Sequence, residues 1–188
     1  MSFRYGEYEY GIIGCAVGAA FAVLIAEELF ASGCQFLVSM TSAGQILPAQ
    51  APPYFVVIDR ALRDEGTSYH YLPPSEYSEA DGQLVQLARE NLIAAGISVQ
   101  IGATWTTDAP FRETQEAIDA AAKVGILAVE MEAAALYAFA KARGRSVLCF
   151  AHVTNQMGRI EGDFEKGLAD GAEGSLRVIS LATARRRV

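Results

Sequence analysis

Short β-rich runs alternate with helical stretches from residue 10 to residue 183, and this alternation restricts the fold more than any other feature of the 188 residues. Strands are expected at 10–15, 35–40, 54–58, 98–105, 126–129 and 146–153, and helices at 19–32, 80–95, 113–123, 132–142 and most of 164–183. The strands are apolar almost throughout instead of alternating apolar with polar, so the sheet they build is covered on both faces. Gly33, Gly96 and Gly144 close three of the helical runs at the left-handed stop position. Helices on both sides of a buried sheet make the class α/β. Ligands gather beyond the carboxyl ends of strands in such sheets, which points to segments 14–18, 39–46, 106–114, 130–132 and 153–157.

The length suits one core, and residues 1–188 read as a single domain with 184–188 as a solvated tail. Apolar residues are 52% of the chain and charged residues 20%, which excludes intrinsic disorder. The net charge of −7, with Arg185, Arg186 and Arg187 as the one basic run, argues against nucleic acid as a partner. Cys15, Cys34 and Cys149 stand apart in apolar stretches, as reduced thiols in a cytoplasmic protein do, and no metal-ligand spacing occurs. The weakly polar run 11–26 is 16 residues long and flanked by Glu7, Glu9, Glu27 and Glu28. A span needs roughly 20 residues, so the run reads as strand and helix and not as a membrane segment.

The stretch richest in chemistry is Val129-Glu130-Met131-Glu132-Ala133-Ala134-Ala135-Leu136-Tyr137, where two glutamates interrupt an apolar strand-to-helix passage. Two readings stand. Acids at a helix start bond its free N–H groups and complement its dipole. Alternatively, a carboxylate kept in apolar surroundings accepts both hydroxyls of a vicinal diol. His152 lies in an apolar strand and reads as a core histidine, Trp105 as a core residue more than a base platform, and His70, in a loop between Tyr69 and Tyr71, as the better functional candidate of the two histidines.

The run from Glu130 to Tyr137 resembles the hallmark of the purine and uridine phosphorylase family, which includes a hydrolytic nucleosidase branch. Other segments agree in order. Gly14 to Leu29 resembles the family's glycine turn and following helix, and Thr41-Ser42-Ala43-Gly44-Gln45-Ile46 resembles its Gly-Thr-Ala-Gly-Gly-Leu loop. Arg63-Asp64-Glu65-Gly66-Thr67-Ser68 with His70 and Tyr71 resembles the uridine-phosphorylase loop, and the segment from Thr106 to Thr114 resembles the one before the base site. The likeness runs from about residue 11 to about 160. It implies a three-layer α/β/α sandwich around a mixed central sheet, shortened at the N-terminus, and cleavage of a nucleoside's N-glycosidic bond. Phosphate is then the co-substrate, with no cofactor and no metal, in a homo-oligomer that is a dimer or an assembly of dimers. By resemblance Glu132 grips the ribose diol, with Met131 and Glu130 beside it. Phe111, Arg112 and Asn155 meet the base, and Thr41 and Ser42 meet phosphate. From the residues alone, Arg112 reads equally as a surface partner of Glu113 or Glu116, and Asn155 as a turn residue.

Three departures qualify the resemblance. The family's first strand and phosphate-gripping glycine loop precede the point where this chain starts. Ser39 stands where phosphorolytic members carry arginine, and a serine lacks the charged fork that matches phosphate. Asn155 stands where purine-specific members carry aspartate, and an amide is no general acid near neutral pH. These departures favour a pyrimidine-like or atypical base pocket. They also keep open a hydrolase and an inert nucleoside-binding remnant, the latter because an incomplete sheet invites strand pairing.

Overall fold

The computed structural model describes residues 1–6, 8–156 and 166–184. Arg185 to Arg187, positions 157–160 of the family likeness and positions 164–165 of the last helical run lie outside the described residues. The strands are β1 (Ser2–Tyr5), β2 (Tyr8–Gly11), β3 (Leu37–Gln45), β4 (Tyr54–Asp64), β5 (Tyr77–Glu79), β6 (Gln100–Thr107), β7 (Ala128–Glu130) and β8 (Val147–Gln156). The helices are α1 (Ala19–Ala31), α2 (Gly82–Ala94), α3 (Gln115–Lys123), α4 (Ala133–Arg143) and α5 (Ala172–Thr183).

Strand β8 shows why the apolar runs dictate three layers. Its Val147, Cys149, Ala151 and Val153 pack against α1 and α4, whereas Leu148 and Phe150 pack against α2 and α5. Alternate side chains of one strand thus serve two cores, and neither face is left to water. Burying a side chain such as Phe150, Leu148 or Ile58 contributes roughly 1.5–3 kcal/mol. Trp105 sits in a third cluster under α3, its Nε1 donating to Asp64 Oδ2 at 2.9 Å, so its core reading fits the structure.

The sheet is mixed, in the order β5-β4-β6-β7-β3-β8, and it curls until β4 also meets β8. Residues 54–57 of β4 run antiparallel to 150–153 of β8, and a register shift between Ile58 and Arg60 then turns β4 onto β5. The bulge at Asp59 lets one strand serve two neighbours on the same side. β8 is therefore paired on both sides, with β3 and with β4, and the three-residue β5 is the terminal strand of the sheet.

Helix ends follow local chemistry. Gly33, at φ +98°, ends α1, with its N–H on Phe30 O and the Cys34 N–H on Leu29 O. Asp81 Oδ1 accepts from Gln83 N at 2.8 Å to start α2. The expected strand at 10–15 is shorter and earlier. β2 pairs with β1 from Tyr8 to Gly11, Ile12 bonds Met1, and 12–17 lie outside strand structure. Conversely β3 runs through positions 41–45, expected as loop, because β8 and β7 bond it from both sides. Helix α5 begins at Ala172, later than expected, after a 3-10 turn at Leu168–Gly171.

Candidate functional site

The site grows from the junction of β7 and α4, flanked by the ends of β3, β6 and β8. A helix start leaves N–H groups without intrahelical acceptors. Glu130, the last residue of β7 and 3% exposed, supplies them: its Oε2 accepts from Glu132 N and from Ala133 N, each at 2.7 Å. Its Oε1 accepts from Thr104 Oγ1 at 3.1 Å and from Thr106 Oγ1 at 2.5 Å, and Thr106 in turn accepts from Ala134 N at 2.9 Å. Thr104 and Thr106 are fully buried residues on one face of β6. Helix capping is thus the work of Glu130, and its oxygens are occupied by the chain itself. Burial pushes its carboxyl up to about 7, with Thr106 and the Ala133 and Glu132 amides pulling the other way and Glu132 adding to the rise.

Glu132 occupies the cap position of α4 without capping it. Its side chain, 6% exposed, turns instead toward α1 and β3. Oε1 accepts from Gly18 N at 2.7 Å, and Oε2 accepts from Thr41 Oγ1 at 2.6 Å. Gly18 adopts φ +90°, which favours glycine, and its N–H stands at the start of α1, where the dipole favours an anion. The end of the glycine turn, at Gly18, holds this chain's own carboxylate. Neither glutamate enters an ion pair among the described residues.

A cleft of about 170 Å³ opens at this junction, lined by Glu130 and Met131 and not by Glu132 itself, the next residue in the chain. Ser42, Ala43 and Gly44 of β3 form one wall, Val129, Glu130 and Met131 another, and Pro110, Glu113 and Asn155 complete it. Gly44 and Asn155 face each other in the β3–β8 register. Ser42, Glu130, Met131 and Asn155 are therefore brought together as expected. Thr41 and Glu132 stand next to that wall, bonded to each other, and Ser42 Oγ lies 3.1 Å from Thr154 Oγ1.

Phe111 and Arg112 need correction. The 3-10 turn Pro110–Arg112 sets Pro110 and the following Glu113 toward the cleft, which leaves Phe111 100% exposed and Arg112 in solvent. Nor does Arg112 pair with Glu113 or Glu116 among the described residues. Glu113, half-buried and with its carboxyl raised by burial, is the cleft residue that sequence reasoning passed over. Its place in segment 106–114 was the signal, obscured by reading it only as a partner for Arg112. Thr104 and Thr106 were also missed, although two threonines at spacing two on a strand share a face. His152 is a core residue: 8% exposed, stacked on Phe55 at 4.5 Å, its pKa lowered by burial and by nearby Lys166. His70 is exposed.

No group of three or more His, Cys, Asp or Glu suited to a metal occurs among the described residues, and none of their helices is long and apolar enough to cross a membrane.

A family model described as the phosphorylase superfamily matches residues 1–183. The chain is similar to a DeoD-type purine nucleoside phosphorylase of Proteus mirabilis, 27% identical over 155 residues, covering 81% of this chain and 65% of that one. It is similar to a guanosine phosphorylase of Halorubrum lacusprofundi, 27% identical, covering 74% of this chain and 58% of that one. A uridine phosphorylase of Thermococcus kodakarensis is 25% identical, with 83% of this chain and 63% of that one covered. The chain thus spans under two thirds of the length of these relatives.

Proposed function

We propose, from the premise that this chain belongs to the phosphorylase superfamily, that it cleaves the N-glycosidic bond of a ribonucleoside by phosphorolysis, with phosphate as co-substrate and no cofactor. The observation that carries this reading is Glu132: a buried carboxylate, not spent on capping and not ion-paired among the described residues, held by Gly18 N and Thr41 Oγ1 and adjacent in the chain to the cleft residue Met131. Each carboxylate oxygen keeps a further lone pair for a ribose hydroxyl. As the glycosidic bond breaks, positive charge grows on the ribose and negative charge on the departing base. Glu132 favours the first, and the Asn155 amide donates to the second. Met131 packs on the sugar. Glu130 serves by fixing the start of α4, and so the backbone of Glu132.

Glu113 and Asn155 favour a 6-oxopurine over the pyrimidine that the sequence departures suggested. A carboxylate accepts from N1–H and the 2-amino group of guanine, while an amide donates to its O6 or N7. In uracil the N3–H lies between two carbonyls, which a carboxylate repels. We therefore place guanosine or inosine above uridine as substrate. Glu113→Gln is expected to lower kcat/KM for guanosine about 10- to 100-fold, because the charged acceptor proposed for N1–H and the 2-amino group is lost, and to leave uridine turnover nearly unchanged. Base release from guanosine, inosine, uridine and 5′-methylthioadenosine, with and without phosphate, tests the reading. An unchanged guanosine-to-uridine ratio in the variant contradicts it.

Hydrolysis is the second reading. It is favoured by the hydroxyls proposed for phosphate, since Thr41 is bonded to Glu132 and Ser42 to Thr154. Base release at equal rates without phosphate selects it. The proposal includes a cytoplasmic homo-oligomer. Three free thiols suit a reducing compartment, and Val17, Phe21 and Leu24 lie 64%, 47% and 54% exposed along α1 and its lead-in, an apolar row that a second copy would cover.

A further inference from the structure

We infer that Thr41 is a positioning residue for Glu132 and not a phosphate contact, an inference that rests on the ribose-gripping role proposed above. Thr41 stands half-buried on β3, opposite Ala151 of β8, so its backbone is fixed by the parallel ladder. Its hydroxyl hydrogen has two acceptors within reach, Glu132 Oε2 at 2.6 Å and Ser42 O at 3.2 Å. The carboxylate is the nearer and the charged one, and an O–H donor to a carboxylate is among the stronger hydrogen bonds. The other oxygen, Oε1, is held by Gly18 N at 2.7 Å from a separate element, the start of α1.

Two donors on two oxygens set the plane of the carboxylate as well as its place. A glutamate side chain has three rotatable bonds, and without both donors its oxygens would sweep through several orientations before meeting a ligand. Held as they are, the unused lone pairs keep one direction, which is what a pair of neighbouring hydroxyls requires. The Gly18 N–H belongs to the backbone and is present whatever the side chains are. Thr41 is therefore the side chain through which the orientation is set. The bond also takes up the hydroxyl that would otherwise face an anion, and a phosphate beside Glu132 would meet a like charge.

The test measures guanosine affinity by calorimetry and steady-state kinetics in both substrates. The proteins are wild type, Thr41→Val, Thr41→Ser, Glu132→Gln and the Thr41→Val/Glu132→Gln double variant. Thr41→Val keeps the shape and removes the donor. It is expected to raise KM and Kd for guanosine about 10- to 100-fold, with kcat, the phosphate KM and the melting temperature close to wild type, since the loss is one of oriented binding. Thr41→Ser restores guanosine affinity to within about threefold, because it restores the hydroxyl. In the Glu132→Gln background the valine change costs several-fold less than in wild type, because only a neutral hydrogen bond to the amide is left to lose. Three results overturn the inference: an equal loss in both backgrounds, a serine variant as weak as valine, or a rise confined to the phosphate KM. Wild-type protein that neither binds nor cleaves guanosine overturns the parent reading and this one with it. Wild-type activity matched by Thr41→Val overturns this one alone.

Discussion

Glu132→Gln is expected to lower kcat/KM for guanosine by about two to three orders of magnitude and to leave the melting temperature within a few degrees of wild type. The amide has the carboxylate's shape, so packing is preserved. Its oxygen can still accept from Gly18 N, and Thr41 can reverse its hydroxyl to accept from the amide nitrogen. The variant loses the negative charge that faces a ribose becoming cationic and one of the acceptors for the two hydroxyls. Each charged hydrogen bond lost contributes about 1.5–3 kcal/mol, and the charge term adds to it in a water-poor site. Kinetics at saturating phosphate and a thermal melt decide the matter together. Turnover untouched by the substitution rules out the ribose assignment.

Glu130→Ala is expected to act on stability, by about 3–5 kcal/mol, which for a chain of this size lowers the melting temperature by roughly 10 °C. The change strands four donors at once: Glu132 N, Ala133 N, Thr104 Oγ1 and Thr106 Oγ1. It also opens a cavity in a fully packed junction. The same residue carries a pH signature. Its carboxyl titrates near the ordinary value of 4.5 when the chain is unfolded and at about 7 when folded. A raised folded pKa means that the folded state holds the proton more tightly. Its relative stabilisation is complete below pH 4.5 and is lost as pH rises through 7, about 3 kcal/mol in all. Urea unfolding of wild type and Glu130→Gln from pH 5 to 8 reads this directly. The wild-type advantage shrinks by about 1.4 kcal/mol per pH unit up to neutrality, and parallel curves would show that Glu130 is ionised throughout.

The sandwich was legible because β8 is apolar at every position from Val147 to Ala151, a pattern that only a doubly covered strand requires. Strand limits were less legible, since they depend on which neighbour offers bonds. β3 continues to Gln45 because β8 pairs with Thr41 to Ala43 and β7, about 85 residues later in the chain, sets Val129 against Gly44, and β2 ends where its pairing with β1 ends. The glutamate pair announced the site, but which member caps the helix was hidden. Both acids are within reach of the same N–H groups, and the choice is made by Thr104 and Thr106 waiting on β6 for Glu130. The base side failed for a similar reason. Whether Phe111 or Glu113 faces the cleft depends on the phase of a single 3-10 turn, and an aromatic residue was the more obvious choice than an acid.

The direct measurement is calorimetric titration of wild-type protein with guanosine and with 2′,3′-dideoxyguanosine, repeated on Glu132→Gln. If the Glu132 carboxylate grips the sugar, removing both hydroxyls weakens binding to wild type by about a hundredfold or more, and the gap narrows sharply in the variant. Equal affinity of wild type for the two nucleosides would contradict the account.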